Sequence, residues 1–430
     1  MERLVSLVGL LALILVAWLS SERRRAVSAR VVLSGLALQL LLAVVLLRSA
    51  PGMMVFDAAR AMVDRLGAYS DMGAQFVFGP TFWDRQRFPG GPPFAITVLP
   101  NVIFFSSLVA VLFHLGVLQW VVKVMARVMV WVMDVSGSES LCTAGNVFLG
   151  MTTAPLVIRP YLPSMTRSEI MAMMTGGMAT IAASVMPAYA IMGADAGHLL
   201  LASLMSAPAA LVVAKIMAPE LETSMTKGAV RIDVPRADAN MIDAACRGAT
   251  EGLKLALSIA AMLIAFLALV ALVNGLLGAL SAAADVALGW LGPLGGRPVS
   301  VERLLGVERL SLQWILGALL APVAWLLGIP WDDATTVGML LGEKTIFNEF
   351  IAYQHLTSPE LRASLSPRSF TIATYALCGF ANFGSVAVMI GGIGALVPER
   401  RADLARYGLR SLLGGTLAAL MTAAIAGILI

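Results

Sequence analysis

The sequence predicts an all-α protein that crosses a lipid bilayer several times. Of its 430 residues, 59% are hydrophobic and only 13% are charged, whereas an ordinary soluble domain carries about 25% charged residues. So few charges exclude a water-exposed surface over most of the chain. A helix needs about 20 mostly apolar residues to cross the hydrocarbon core. The candidate spans are residues 4–19, 32–48, 98–118, 198–217, 255–280, 311–328, 370–397 and 408–430.

The first apolar segment, residues 4–19, is expected to be a retained span and not a secretion signal. A signal peptide carries its positive charge before the apolar run, whereas here Arg23, Arg24, Arg25 and Arg30 follow it. Because basic loops tend to stay in the cytoplasm, the N-terminus is expected outside. We expect the chain to lie in the inner (plasma) membrane of the cell.

The remaining basic loops predict how the chain alternates between the two sides. The rule places residues 123–127, 159–167, 218–254 and 400–410 inside, and the turn 194–198 and the segments 281–310 and 357–369 outside. The C-terminus is then also expected outside. Because the basic residues are dispersed over short loops, the net charge of +4 predicts no nucleic-acid partner.

Two stretches break this alternation and predict re-entrant hairpins. The first, at about 138–162, begins and ends inside, and the second, at about 311–356, begins and ends outside. We expect Pro330, Trp331, Asp332 and Asp333 at the second tip. Irregular backbone at membrane depth survives only where it is buried in protein or lines a cavity. Hairpins entering from opposite faces are typical of an inverted-repeat transporter with a site near the midplane.

The predicted organisation has an N-terminal part and two inverted repeats. Residues 1–95 hold two spans and an interfacial segment, residues 96–254 form the first repeat, and residues 255–430 form the second. Each repeat contains an interrupted span, "MTGGMATIAASVMPAYA" (174–190) or "CGFANFGSVAVMIGG" (378–392). Small residues also permit close helix packing, which is an equal alternative for most of these glycines. The neighbouring Asn and Ser favour a break.

Polar groups inside the membrane identify the candidate site. Each costs roughly 2.5 to 3.5 kcal/mol on insertion scales and usually marks a pathway or binding site. The positions are Asn146, Thr180, Glu349, Asn382 and Ser385.

Other functional classes find less support in the sequence. The three histidines His114, His198 and His355 are isolated near span ends and predict no nucleophile and base of an enzyme. No ring of like charges or carbonyl filter predicts a channel. The three cysteines fit no metal or disulfide spacing.

Several long strings resemble the signature stretches of concentrative nucleoside transporters. They are "SGSESLCTAGNVFLG", "APLVIRPYLPSMTRSEI", "MTGGMATIAAS", "NEFIAYQHL" and "TYALCGFANFGSVAVMIGGIGALVPERRADLARYGLRSLL". The resemblance covers about residues 95–430. It implies a homotrimer whose protomers pair a scaffold with a mobile transport domain, and sodium-coupled uptake of nucleosides by alternating access.

The resemblance also implies the site residues. Glu349, Asn382 and Ser385 would hold the ribose hydroxyls, which suits a carboxylate acceptor beside an amide and a hydroxyl. Phe380 would pack against the base, and the other substrate contacts would be Met151, Thr152, Thr153 and Val185. Sodium, the coupling ion and the only cofactor expected, would be held by the side chains of Asn146 and Thr180 and the carbonyls of Leu149 and Ile181.

Two alternatives remain open for these residues. Glu349 could form a structural ion pair with Lys344. Asn146 and Thr180 could hydrogen-bond each other between helices.

One departure from the family pattern concerns base recognition. Relatives with this sodium signature read Gly-Gln-Thr-Glu-Ala-Pro at the first hairpin tip, whereas this chain reads Gly-Met-Thr-Thr-Ala-Pro at 150–155. Met151 and Thr153 thus replace the amide and carboxylate that address the base, which predicts altered base recognition. Glu343 could replace the lost carboxylate or be an exposed charge. Proton coupling, or a non-nucleoside sugar-like solute, is the alternative function.

Overall fold

The computed structural model describes residues 1–84, 86–88, 92–228, 238–289 and 310–430. Over these residues the chain forms α-helices joined by short turns, without a β-strand, which confirms the predicted all-α class. Parts of the predicted inner segment 218–254 (229–237) and outer segment 281–310 (290–309) lie outside the described residues.

The described helices follow one another in a pattern that the two repeats share. In chain order they are α1 (Glu2–Leu19), α2 (Ala29–Arg48), α3 (Ala50–Phe78), α4 (Phe94–His114), α5 (Val117–Met133), α6 (Gly137–Leu149), α7 (Ala154–Val157), α8 (Arg167–Ala179), α9 (Met186–Met192), α10 (Ala196–Met217), α11 (Met241–Gly289), α12 (Leu312–Leu326), α13 (Trp331–Ile346), α14 (Glu349–Leu356), α15 (Pro359–Ser364), α16 (Pro367–Leu377), α17 (Phe383–Leu396) and α18 (Arg401–Leu429). Within the described ranges, six of them are long and apolar enough to span a bilayer: α1, α2, α4, α10, α11 and α18.

The first repeat turns back on itself at residues 150–153, inside the predicted hairpin. Ser136 and Glu139 form a capping box that starts α6. Gly150 ends the helix with a φ of 79°, a conformation that glycine adopts without steric cost. A Cβ at Gly150 would lie 3.0 Å from that of Ala182. The hairpin tip therefore packs against the break in the span that follows.

Both predicted interrupted spans contain a break in the structure. In the first repeat residues 180–185 separate α8 from α9, and in the second residues 378–382 separate α16 from α17. Gly379 has a φ of 153°, and a Cβ there would lie 2.8 Å from the carbonyl oxygen of Ala179. The two breaks therefore lie directly against each other, and any larger residue at position 379 would push them apart.

The second hairpin is formed by α13 and α14. The carboxylate of Glu343 lies 2.8 Å from the ring of His355, although 12 positions separate them in the sequence. The chain therefore reverses at residues 347–348, and Glu349 follows this tip directly.

The chain turns sharply at the predicted second tip, around Pro330, Asp332 and Asp333. Helices α12 and α13 differ in direction by 116°, and residues 327–330 make the bend between them. There Ser6 Oγ donates to the Leu327 carbonyl at 2.8 Å. Pro330 precedes α13 and the two aspartates occupy its first turn, where negative charge is favourable. Pro330 thus lies at a turn between two packed helices, whereas Glu349 follows the separate reversal at residues 347–348.

Helices α4 and α11 form a pair beside a densely packed bundle. Cβ atoms at Gly248 and Gly252 would each lie 2.7 Å from atoms of α4, so these glycines let the two backbones approach. In its most apolar window α11 is only 22% buried, whereas α10 in the bundle is 89% buried. This division corresponds to the predicted scaffold and transport domain.

Candidate substrate and sodium site

The second hairpin tip and the second break bring Glu349 and Asn382 together. Glu349 opens α14, where the side chain of Asn348 accepts from the Ile351 N–H at 3.0 Å and caps the helix. Asn382 precedes α17 and donates through Nδ2 to Glu349 Oε2 at 3.2 Å. Its other side-chain atom, Oδ1, accepts from the Ser385 N–H at 2.8 Å. Helix capping thus fixes the amide orientation that faces the carboxylate.

Tyr189 is a further partner of Glu349, which the sequence did not reveal. Its hydroxyl donates to Glu349 Oε1 at 2.9 Å, and its ring stacks on Tyr353 with centroids 4.5 Å apart. Tyr189 belongs to α9 of the first repeat and Glu349 to α14 of the second, so the carboxylate joins both halves. The only available signal was a tyrosine at the end of an otherwise small-residue stretch, "MPAYA".

The proposed ion pair between Glu349 and Lys344 is not formed. Lys344 is buried, and its Nζ donates to the carbonyl of Ala376 at 2.8 Å. The Glu349 side chain is also buried, at 5% residue exposure, and it accepts from two neutral donors. A buried carboxylate without a fixed cationic partner can still accept hydrogen bonds from a polar ligand.

The other residues expected to contact the substrate, including those near the nucleobase, lie at the first hairpin tip and in the two breaks. A Cβ at Gly177 would lie 2.9 Å from Met151 Cβ and 3.0 Å from Met389 Cε, so Met151 and Met389 both pack against α8 at Gly177. Thr152 is exposed and Thr153 half-buried. Val185 is buried at the end of the first break, and Phe380 is half-buried in the second.

The candidate sodium ligands include buried polar atoms that lack a partner. Asn146 is 1% exposed, and neither its Oδ1 nor its Nδ2 has a hydrogen-bond partner among the described residues. The Oγ1 of Thr143 is unpaired in the same way. A Cβ at Gly176 would lie 3.1 Å from this hydroxyl and 3.2 Å from Asn146 Nδ2. Leaving such groups unpaired costs about 1 to 3 kcal/mol each, so the cluster fits a ligand.

Thr180 lies in the first break, next to the same cluster of polar side chains. Its hydroxyl contacts the Gly176 carbonyl at 3.1 Å and Ser206 Oγ at 2.8 Å. The alternative of a direct bond between Asn146 and Thr180 is therefore wrong. Leu149 ends α6 and Ile181 lies in the break, where helix carbonyls lose their partners. Neutral oxygens of this kind fit sodium. Within the described ranges, no group of three or more His, Cys, Asp or Glu residues fits a metal ion.

Two histidines are less isolated than their sequence positions indicated. His198 Nδ1 lies 2.9 Å from the Tyr375 hydroxyl, and His355 pairs with Glu343. Glu343 is 1% exposed, so its interpretation as an exposed charge is wrong. The pairing fastens the arms of the second hairpin, which the sequence could not indicate because it depends on where the chain reverses.

Comparison with known proteins assigns the family. Models described as the N- and C-terminal parts of the Na+ dependent nucleoside transporter match residues 8–81 and 198–427, and a nucleoside recognition model matches residues 95–196. The uncharacterized transporter YutK of Bacillus subtilis is 40% identical over 431 residues, with both chains fully covered. Sodium/nucleoside cotransporter 1 of Rattus norvegicus is 40% identical over 442 residues, and the match covers this whole chain but 64% of the rat protein.

Solved structures agree with this assignment. CNTnw in an inward-facing substrate-bound state gives a TM-score of 0.87 at 38% identity, covering 100% of this chain and 98% of the other. An outward-facing variant of the same protein gives 0.88 with the same identity and coverage. The chain therefore belongs to the concentrative nucleoside transporter family, as a multi-pass membrane transporter and not an enzyme.

Proposed function

We propose that this protein takes up nucleosides, or a closely related ribose-bearing solute, by alternating access coupled to sodium. The observation that carries this proposal is the constellation of Glu349, Asn382 and Tyr189. The buried Glu349 carboxylate can accept hydrogen bonds from two vicinal hydroxyls of a ligand once its present donors, Tyr189 and Asn382, move aside. The Ser385 hydroxyl lies one turn along α17 from Asn382 and completes the ribose half.

The breaks explain how binding can couple to movement of the hairpins. Glu349 stands at the tip of the second hairpin, whereas Asn382 and Tyr189 belong to the two interrupted spans. A solute that bridges these groups stabilises the tip against the breaks, and the loaded transport domain can then move as one body. Phe380 and Val185 lie in the same breaks and supply apolar surface for the base.

Sodium coupling rests on the unpaired amide of Asn146. In this proposal the side chains of Asn146 and Thr180, with the carbonyls of Leu149 and Ile181, hold the ion. A bound sodium supplies a positive charge that neutralises the partial negative charge at the ends of α6 and α8. The first hairpin tip is then fastened to the first break only when the ion is present.

Base recognition is proposed to be permissive. Met151 packs against Gly177, where an added Cβ would lie 2.9 Å from Met151 Cβ, and its thioether cannot usefully hydrogen-bond a base edge. Thr153 offers only a short hydroxyl. We expect affinity to depend strongly on the ribose hydroxyls and weakly on the polar groups of the base.

The proposed setting is a homotrimer in the plasma membrane, with both termini outside. Exposed apolar side chains along α11, such as Ile264, Leu272 and Leu276, are available for lipid or for a second copy of the chain.

The decisive experiment is uptake of a panel of labelled nucleosides into liposomes containing the purified protein. Uptake that requires an inward sodium gradient, and that persists when the pH gradient is collapsed, supports the proposal. Uptake driven by a proton gradient in sodium-free buffer would replace sodium with proton coupling. Absence of uptake for every nucleoside, with uptake of another sugar-like solute, would refute the substrate assignment.

A further inference from the structure

We propose that the Lys344 ammonium is a built-in cation, which occupies in the second repeat the position that sodium takes in the first. The inference rests on the proposed sodium site at Asn146 and Thr180 and extends it to the other half of the molecule. It assigns a role to a buried lysine that the substrate site does not use.

The contacts of Lys344 differ from those of an ordinary ion pair. The residue is 2% exposed, and it forms no ion pair with a described carboxylate. Its Nζ donates to the carbonyl of Ala376 at 2.8 Å, in the last turn of α16. The final carbonyls of a helix have no partner within the helix and carry a partial negative charge. The ammonium is therefore bound by a helix C-terminus, as a free cation would be.

Neighbouring carbonyls at the C-terminus of α16 also accept hydrogen bonds. The Thr374 carbonyl accepts from the Tyr353 hydroxyl at 2.7 Å, and the Tyr375 carbonyl accepts from the Cys378 N–H at 3.1 Å. Lys344 supplies the donor for the next carbonyl. Two side chains of the second hairpin thus donate to two of the last carbonyls of α16.

The equivalent place in the first repeat has neutral polar side chains instead of a positive charge. Asn146 lies in the last turn of α6, just before the first hairpin tip, as Lys344 lies in the last turn of α13, just before the second. Thr180 directly follows α8, as Cys378 directly follows α16. The first repeat has neutral polar atoms at this place that find no partner among the described residues, whereas the second has a fixed positive charge.

This difference has a functional consequence for the two hairpins. The first hairpin needs a diffusible ion to satisfy the helix ends at its tip. The second carries its own cation at the end of α16 and needs no diffusible ion there. Each protomer is therefore expected to take one sodium ion, because the second place is already filled.

Removal of the ammonium tests the inference through ion binding and not through transport. We would purify the parent, Lys344→Met, Lys344→Gln and Lys344→Arg, with Lys254→Met as a control that removes an exposed ammonium from α11. Bound radioactive sodium per protomer and the sodium dependence of thermal unfolding are then measured. We expect one sodium ion for the parent, the arginine variant and the control, and two for the methionine and glutamine variants.

The outcomes separate this inference from the proposed function. A parent protein that binds no sodium refutes the proposed sodium site itself. A parent that binds one sodium ion, with folded neutral variants that also bind one, overturns the role of Lys344 alone. If the neutral variants unfold in salt-free buffer, recovery by sodium chloride or methylammonium chloride, and not by choline chloride, supports the inference. Failure of every cation to restore folding overturns it.

Discussion

The substitution Glu349→Gln tests the proposed ribose contact most directly. In the parent, both carboxylate oxygens face donors, namely the Tyr189 hydroxyl at 2.9 Å and Asn382 Nδ2 at 3.2 Å. An amide presents one oxygen and one NH₂ group in nearly the same volume. Because the Ser385 N–H fixes the orientation of Asn382, the glutamine oxygen must face Asn382. Its NH₂ group must then face Tyr189, whose hydroxyl can rotate to accept.

The expected loss of affinity follows from the acceptor that disappears. A ribose hydroxyl that meets the NH₂ group has no acceptor there, and a buried unpaired donor costs about 1 to 3 kcal/mol. At 1.4 kcal/mol for each tenfold change, the Kd should rise by about 5- to 140-fold. Folding should be affected less, because Tyr189 and Asn382 both keep a partner in the variant.

The assay compares ligands as well as proteins. Equilibrium binding of uridine, 2′-deoxyuridine and 3′-deoxyuridine would be measured for the parent, for Glu349→Gln, and for Glu360→Gln, which changes an exposed carboxylate on α15. The loss in the first variant should shrink for the deoxynucleoside that lacks the affected hydroxyl. An equal loss for all three ligands, or an unchanged Kd for uridine, would show that Glu349 does not contact the ribose.

The remaining predictions concern the ion, the base and the second hairpin. Asn146→Ala should shift the sodium activation of uptake to higher concentration while leaving the thermal unfolding temperature in sodium-free buffer nearly unchanged; an identical activation curve would contradict the sodium assignment. Met151→Gln combined with Thr153→Glu should increase discrimination among bases in competition uptake, and unchanged ratios would show that the tip does not contact the base. His355→Ala should destabilise the protein by about 1 to 3 kcal/mol, because it removes a hydrogen-bond partner of the buried Glu343 carboxylate. Adding Glu343→Gln should recover most of that loss in denaturant unfolding, and additive effects would contradict the pairing.

Local sequence patterns located the irregular parts of the backbone well. Both breaks fall inside the small-residue stretches that carried Thr180 and Asn382, since a polar group and a glycine together disfavour a plain lipid-facing helix. The first hairpin tip was located for the same reason, because Gly150 adopts a positive φ there. The charged loops predicted how the spans alternate between the two sides, and this alternation stays a prediction.

Contacts between distant elements could not be derived in this way. The bond from Tyr189 to Glu349 joins residues 160 positions apart, and no local pattern records which helices cross. The sequence located the turn at Pro330 but not the reversal at residues 347–348, because a turn between two packed helices has the same local pattern as a hairpin tip. The partner of Lys344 is a backbone carbonyl, which no residue identity could reveal.

Polar residues at the foot of the first hairpin, meaning the start of α6 and the adjacent ends of α8 and α10, support the proposal that its tip binds an ion. At the foot, Glu139 lies 2.7 Å from the ammonium of Lys215, with both groups buried. Glu169 accepts from the hydroxyls of Ser138 and Ser224 at 2.9 and 2.6 Å.

This network ties the start of α6 to α8 and to the end of α10, so the foot is held by groups that already have partners. At the tip the amide of Asn146 has none among the described residues. Buried polar groups in proteins nearly always have a hydrogen-bond partner, so an unpaired buried amide supports the proposal of a ligand at this tip. A hairpin that is rigid at its foot and dependent on a ligand at its tip can respond to ion binding without losing its place in the fold.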